Sequence, residues 1–375
     1  MNGREKTLMA LSYEGSPEIA ASICYDSIYT RDVWEQLTPL PWWYGVSNDL
    51  ELMKAAYRDI YRSLDYDWIS ARVDVDDLGD EGQYRIFEQE GRVFRVSNAS
   101  GEKTELYRQP LGGDVQEVLD AKSGAPDNID ELEEFINDFA EKRGLNKRTN
   151  GALPAYLREQ FPGRCPMGYA NSPFELCFLI WGFDRTLSMV YDNIDLFEKA
   201  AGMILDKVRA ALQNEVARGA EVIWLEECYG DLISPEHYRR LCFPFVRALC
   251  EEIRILGMKS IYYFAGNPTG RFDMLLDSKA DMLGFKESKK GIRLDIVELA
   301  EIVSGHCGLL GNLDAINLLP SCTTEELREA LLWQKQAAKL MKGRFIFGLG
   351  SPLTPGTSLI RAIEYVELAH ELGKL

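Results

Sequence analysis

From residue 163 to residue 371, short β-rich apolar runs alternate with amphipathic helical runs, and this constrains the fold more than anything else in the chain. Strand-like stretches at 221–227, 260–265, 281–288, 307–315 and 344–358 are separated by helical stretches, among them 295–304 and 324–342. Such repetition calls for a parallel sheet covered by helices, because each helix must carry the chain back to the same end of the sheet. Together with strand-like segments in the N-terminal part, the simplest count is an α/β fold closed as a (β/α)8 TIM barrel. The 375 residues, 46% of them hydrophobic, can bury one large core. No Pro/Ser-rich linker or internal repeat divides them, so residues 1–375 read as a single domain.

The N-terminal part carries the departures from the repeat. Residues 3–13 read as a helical extension, residues 17–29 as the first strand running into a loop, and residues 65–75 as a second strand that releases Asp74, Asp76 and Asp77. Between these strands, a helix from about 49 to 64 takes Asn48 or Ser47 as its N-cap. Trp42, Trp43 and Tyr44 precede it, and either pack onto the barrel or form an aromatic wall for a flat substrate. Residues 83–111 alternate with period two and break at Glu90-Gly91 and Ser100-Gly101, which predicts an antiparallel β-hairpin insertion. Residues 128–145 form an acidic amphipathic helix with a solvated face.

A formal net charge of −17 opposes phosphate backbones, anionic lipid and polycarboxylate substrates unless a local basic pocket intervenes. A small neutral substrate suits this balance, with no nucleic acid and no membrane as partner. Neither a secretory h-region nor a run approaching about 18 apolar residues occurs, so a cytoplasmic location is expected. The eight cysteines form no Cys-x-x-Cys pair and read as small buried hydrophobes in a reducing compartment.

Two strand ends concentrate polar residues. The run SIYYFAGN ends in Tyr263-Phe264-Ala265-Gly266-Asn267, and a later strand ends in Gly311-Asn312-Leu313-Asp314. A third, EVIWLEE, ends in Glu226-Glu227 ahead of Ser234-Pro235-Glu236, which starts a helix. In this frame the chain resembles the uroporphyrinogen decarboxylase superfamily and its corrinoid-dependent methyltransferases, whose corresponding strands read His-x-Cys-Gly-Asn and Gly-Asn-(Leu/Val)-Asp. Ser172-Pro173-Phe174 and Trp181-Gly182 stand where those families have Gly-Pro-Phe and Glu-Gly. The resemblance also implies the barrel and, in methyltransferase members, the β insertion after the second strand.

The reactive positions differ from both family chemistries. Zinc-dependent methyltransferases of the family hold their metal with the His and Cys of His-x-Cys and a later Cys, where this chain has Tyr263, Ala265 and Ser351. No bound zinc is therefore expected. An alternative metal set, Glu226, Glu227, Cys228 and His237, has no recognised ligand spacing. Of the decarboxylase pattern, only Asp74 is roughly kept: the first loop reads Cys24-Tyr25-Asp26-Ser27, and Phe178, Glu227 and Ser351 replace the Tyr, Ser and His. The resemblance then implies the family's third activity, transfer of a methyl group from a small donor, favoured as an aryl methyl ether, to the cobalamin of a separate corrinoid protein. The expected catalytic residues are Glu226 or Glu227 as proton donor and Tyr263 as a hydrogen-bonding group. Glu226 and Glu227 point to opposite sides of their strand, so one of them reaches the substrate. Asn267, Trp43, Tyr44, Asp26, Glu287, Asn312, Asp314 and Ser351 are expected around the donor, although Asn312 and Asp314 equally suit turns. The alternatives are a cofactor-independent decarboxylase or lyase using Arg72 and Lys286 as a carboxylate clamp, and a non-catalytic binding protein.

Overall fold

The computed structural model describes residues 1–70, 84–112, 126, 128–142, 145, 151–289 and 291–375; Arg72, Asp74, Asp76 and Asp77 lie outside the described residues. In chain order the strands are β1 (Ala20–Ala21), β2 (Trp68–Ser70), β3 (Tyr84–Gln89), β4 (Arg92–Ser97), β5 (Lys103–Leu106), β6 (Cys165–Asn171), β7 (Val222–Glu227), β8 (Lys259–Phe264), β9 (Met282–Phe285), β10 (Gly308–Leu310) and β11 (Phe345–Phe347). Eight of them form one sheet in the order β1-β11-β10-β9-β8-β7-β6-β2, and every neighbouring pair is parallel. The two end strands meet through Asp67. Its N–H donates to Ala21 O at 2.8 Å, and its carboxylate accepts the Ala21 N–H at 2.6 Å. The sheet thus curls into the expected (β/α)8 barrel.

All six residues of β7 are buried, which accounts for the near-continuous apolar run that ends in two glutamates. The helix Pro173–Trp181 starts at Ser172, whose hydroxyl accepts the Glu175 N–H, with proline in its first turn. Ser234 and Pro235 start the helix Pro235–Leu241 in the same way. The helix Leu50–Ser63 is capped by Asp49 and not by Asn48 or Ser47, because the Asp49 carboxylate accepts two N–H groups, from Glu51 and Leu52.

The N-terminal helix spans Gly3–Ala10 and is closed by an Asn2/Glu5 capping box. It is shorter than the expected 3–13, because the Ser12 hydroxyl bonds back to Met9 O and the chain turns there. Arg4 N–H donates to Gly163 O, and Lys6 pairs with Asp67 at 2.9 Å. Both partners precede barrel strands, so this helix lies across the N-terminal ends and leaves the C-terminal ends for chemistry.

Strands β3, β4 and β5 form a separate antiparallel sheet within the predicted insertion. The first turn places Glu90 and Gly91 at φ 54° and 73°, the left-handed pair that a tight hairpin needs. Its register puts Tyr84, Ile86, Arg95 and Leu106 on one face.

Candidate active site at the barrel mouth

Alternation along β7 separates its two terminal acids. Trp224 and Glu226 share the inward face, while Leu225 and Glu227 take the outward one. Inside the barrel, the Trp224 ring stacks on Tyr263 with centroids 4.7 Å apart, and Tyr25 meets both edge-on. Above these rings opens a cavity of about 330 Å³, walled by Tyr25, Trp68, Tyr169 and Trp224 with Met167 and Glu226. Asp26 also lines it; no Lys, Arg or His does so among the described residues.

Glu226 is the polar centre of this wall. Its Oε1 accepts the Tyr25 hydroxyl at 2.6 Å and the Cys228 thiol at 3.0 Å. Burial holds the Tyr25 phenol well above its ordinary range, and the Glu226 charge adds to the rise. Burial likewise pushes up the Cys228 thiol, helped by Glu175 and Glu226, with Lys286 close enough to oppose it. Tyr25 adopts a left-handed backbone, φ 54° and ψ 40°. Such a conformation costs a bulky residue roughly 1–2 kcal/mol, and the bond to Glu226 helps hold it.

Glu227, the other candidate acid, does not reach the cavity. Its side chain is fully buried behind the strand, where it accepts the Ser172 hydroxyl at 2.6 Å and the Tyr229 N–H. Burial first, then Glu175, raises its pKa to about 8. The expectation that Glu227 acts on substrate is therefore corrected: an outward-facing residue on a barrel strand meets the helix layer. His237 is also remote from Glu226, since its ring bonds Ser234 Oγ and meets Tyr191 edge-on. The Glu226, Glu227, Cys228, His237 set is thus not assembled. The donor atoms of Glu175, Glu226 and Cys228 do lie within 4.8 Å of one another.

The other expected residues divide clearly. Tyr263 is in the barrel interior beneath the cavity, with its hydroxyl donated to Gly350 O at 2.6 Å. Ser351 is buried and donates to Glu287 at 2.8 Å; Lys289 stands 3.7 Å from the same carboxylate. Ala265 offers only a methyl group. The residues at the family's zinc positions therefore do not fit that metal, since a bonded phenol, a methyl and a hydroxyl replace an imidazole and two thiolates.

Asn267, Asn312 and Asp314, expected around the donor, do not line the cavity, and Asn312 and Asp314 take the turn role their sequence equally suited. Asn267 accepts the Thr269 N–H, and its own N–H is held by Asp231, so it forms a turn. Asn312 braces Lys286 O and Leu294 O, and Asp314 caps the Ile316 and Asn317 N–H groups. At these three positions the side chain satisfies loop backbone and lies outside the cavity lining. Trp43 and Tyr44 pack against each other at 4.6 Å and line neither cavity; Trp42 and Gly45 do line a second one. Asp26 lies on the cavity wall, where its carboxylate accepts the Tyr66 hydroxyl at 2.5 Å and burial raises its pKa. Tyr25, Trp68, Tyr169 and Glu175 were not singled out by sequence, and Cys228 only as a member of the alternative metal set. Their one shared signal is position just within or after a barrel strand.

A parallel barrel with an aromatic, acid-bearing cavity at the C-terminal ends of its strands has the layout of a (β/α)8 enzyme. The profile of the uroporphyrinogen decarboxylase family matches residues 148–372, and the chain belongs to that family. It is 27% identical over 208 residues to uroporphyrinogen decarboxylase of Aquifex aeolicus, covering 54% of this chain and 59% of that one. With the Myxococcus xanthus decarboxylase it shares 24% over 261 residues, 67% of each. The Aquifex match thus spans about three-fifths of that relative's length. Among solved structures, a methyltransferase from Methanosarcina mazei superposes over 99% of this chain and 98% of its own, with a TM-score of 0.65 and 14% identity. That likeness is one of fold.

Proposed function

We propose that the protein is a methyltransferase that takes the methyl group of a small donor, an aryl methyl ether, and passes it to the cobalt of a separate corrinoid protein. The observation that carries this reading is the cavity itself: four aromatic rings line it, and Glu226 at its wall gathers the hydroxyl of Tyr25 and the thiol of Cys228. Aromatic walls orient a flat donor and keep water from the reacting carbon. The reduced corrinoid supplies the nucleophile when bound. As the oxygen–methyl bond breaks, its electron pair stays on the aryl oxygen, which departs as a phenolate beside the Tyr25 hydroxyl that Glu226 positions, and solvent protonates it on release. No step requires zinc at Tyr263, Ala265 and Ser351.

The test is methyl transfer from methoxyphenol to a reduced corrinoid protein, followed by the cobalamin absorbance change. Absence of transfer with every ether tried overturns the proposal. The curated relatives favour a second reading, decarboxylation without a cofactor. Against it stand Asp26 and Glu226, which repel a carboxylate brought into the barrel cavity. Release of carbon dioxide without a corrinoid identifies that activity, whereas a binding protein shows neither reaction.

A further inference from the structure

Beside the barrel cavity lies a second one of about 400 Å³, beneath the β insertion. The two share Asp26, Ser27 and Ser70 and so adjoin. The outer cavity is aromatic, with Trp34, Trp42, Tyr57 and Tyr107 in its wall, and it differs in charge from the inner one: Arg31, Arg95 and Arg108 line it.

These arginines are not equivalent. Arg31 is engaged by Asp32, and Arg108 by Glu35 and the Arg31 carbonyl. Arg95 projects from β4 on the same face as Tyr84 and Ile86, with its guanidinium over the Tyr84 ring at 5.5 Å. Among the described residues no carboxylate pairs with it. A guanidinium packed on an aromatic face, with its donor fork unused, suits a planar carboxylate. In a chain of net charge −17 this is the local basic pocket that an anionic ligand would require.

We propose that the ligand of the joined cavities is an aromatic molecule with a carboxylate substituent, and that Arg95 of the insertion binds this group. The methoxy end then lies in the inner cavity beside Tyr25 and Glu226, and the anionic end is held away from Asp26, which stands at the junction. Arg95 is thus a specificity residue, and the insertion is part of the site. The orientation of the methoxy end rests on the methyl-transfer reading; recognition of the carboxylate does not.

Equilibrium binding, read by quenching of tryptophan fluorescence, tests this without any corrinoid. Methoxybenzoate should bind at least tenfold more tightly than uncharged methoxybenzamide, with the advantage shrinking at high salt. Arg95→Gln should abolish that preference by weakening methoxybenzoate at least tenfold more than methoxybenzamide, while Arg95→Lys should keep part of it. Circular dichroism of each variant checks folding, and the Lys variant serves if the Gln variant does not fold. Equal affinity for the two probes, no binding of either, or an undiminished preference in Arg95→Gln overturns the proposal. If methoxybenzoate binds as described but no methyl transfer occurs, the methyl-transfer reading fails and the role of Arg95 stands.

Discussion

At the level of single residues, the two adjacent glutamates at the end of β7 have opposite fates, and this separates activity from stability. Glu226 lines the cavity and accepts from Tyr25 and Cys228. Glu226→Gln should lower methyl transfer at least tenfold, about 1.4 kcal/mol in the barrier, with little change in melting temperature. Tyr25→Phe should lower it as well. Steady-state rates with a saturating donor decide both. Glu227 is held in the protonated form by burial, its pKa raised from 4.5 to about 8. Between those values the folded chain keeps a proton that the unfolded chain has lost, so stability falls as pH rises through this window, by about 1.4 kcal/mol per pH unit. Glu227→Gln should flatten the slope and raise the melting temperature at pH 8 relative to pH 5. An equal pH dependence in variant and parent protein would show that Glu227 is ionised in the fold.

At the level of elements, the inner wall depends on where strands carry no side chain. Gly284 of β9 faces the Tyr263 ring: an added Cβ would lie 2.8 Å from Tyr263 Cδ2 and 3.2 Å from Leu310 Cδ2. Gly284→Ala should therefore cost on the order of 1–3 kcal/mol through overpacking, measured by urea denaturation, and should disturb the Tyr263–Trp224 stack that floors the cavity. The insertion shows how an element acquires a function. Its alternation sends Phe87 and Phe94 to one face, where they meet at 6.1 Å, and Tyr84, Ile86 and Arg95 to the other, over the outer cavity.

For the molecule as a whole, Asp67 ties the ends of the chain to the barrel. It receives Ala21 N–H between the end strands, the Lys6 ammonium from the N-terminal helix and the His370 ring from the C-terminal one. Burial pushes its carboxyl up, but the His370 hydrogen bond and the Lys6 charge outweigh this and leave its pKa lowered. A lowered folded-state value gives stability that is present above the unfolded pKa of 3.8 and lost as pH falls through the folded value. Asp67→Asn removes the charge from a buried pair and should destabilise the protein by about 3–5 kcal/mol at pH 7, read from denaturant midpoints. Because the family's zinc positions hold no competent ligand, purified protein should contain far less than one zinc per chain, and its melting temperature should not respond to chelators. Elemental analysis near one zinc per chain would overturn that expectation.

The sequence by itself determined the barrel, the insertion with its breaks at Glu90-Gly91 and Gly101, the helix start at Ser234, and the loss of the family's metal-binding side chains. All of these follow from local periodicity, turn chemistry and residue identity. It also placed Glu226 and Glu227 at a strand end, and alternation alone required them to diverge. Only the tertiary structure decided which of the two faces the cavity, because that depends on how the strand is turned within the closed sheet. The same holds for Asn267, Asn312 and Asp314, whose polar groups were legible but whose partners were loop backbone atoms that become neighbours only on folding. Tyr25 and Glu226 are 201 residues apart, and Arg95 reaches the mouth on an inserted sheet. No local pattern records such meetings, since they are set by closure of the barrel and by the packing of the insertion against it.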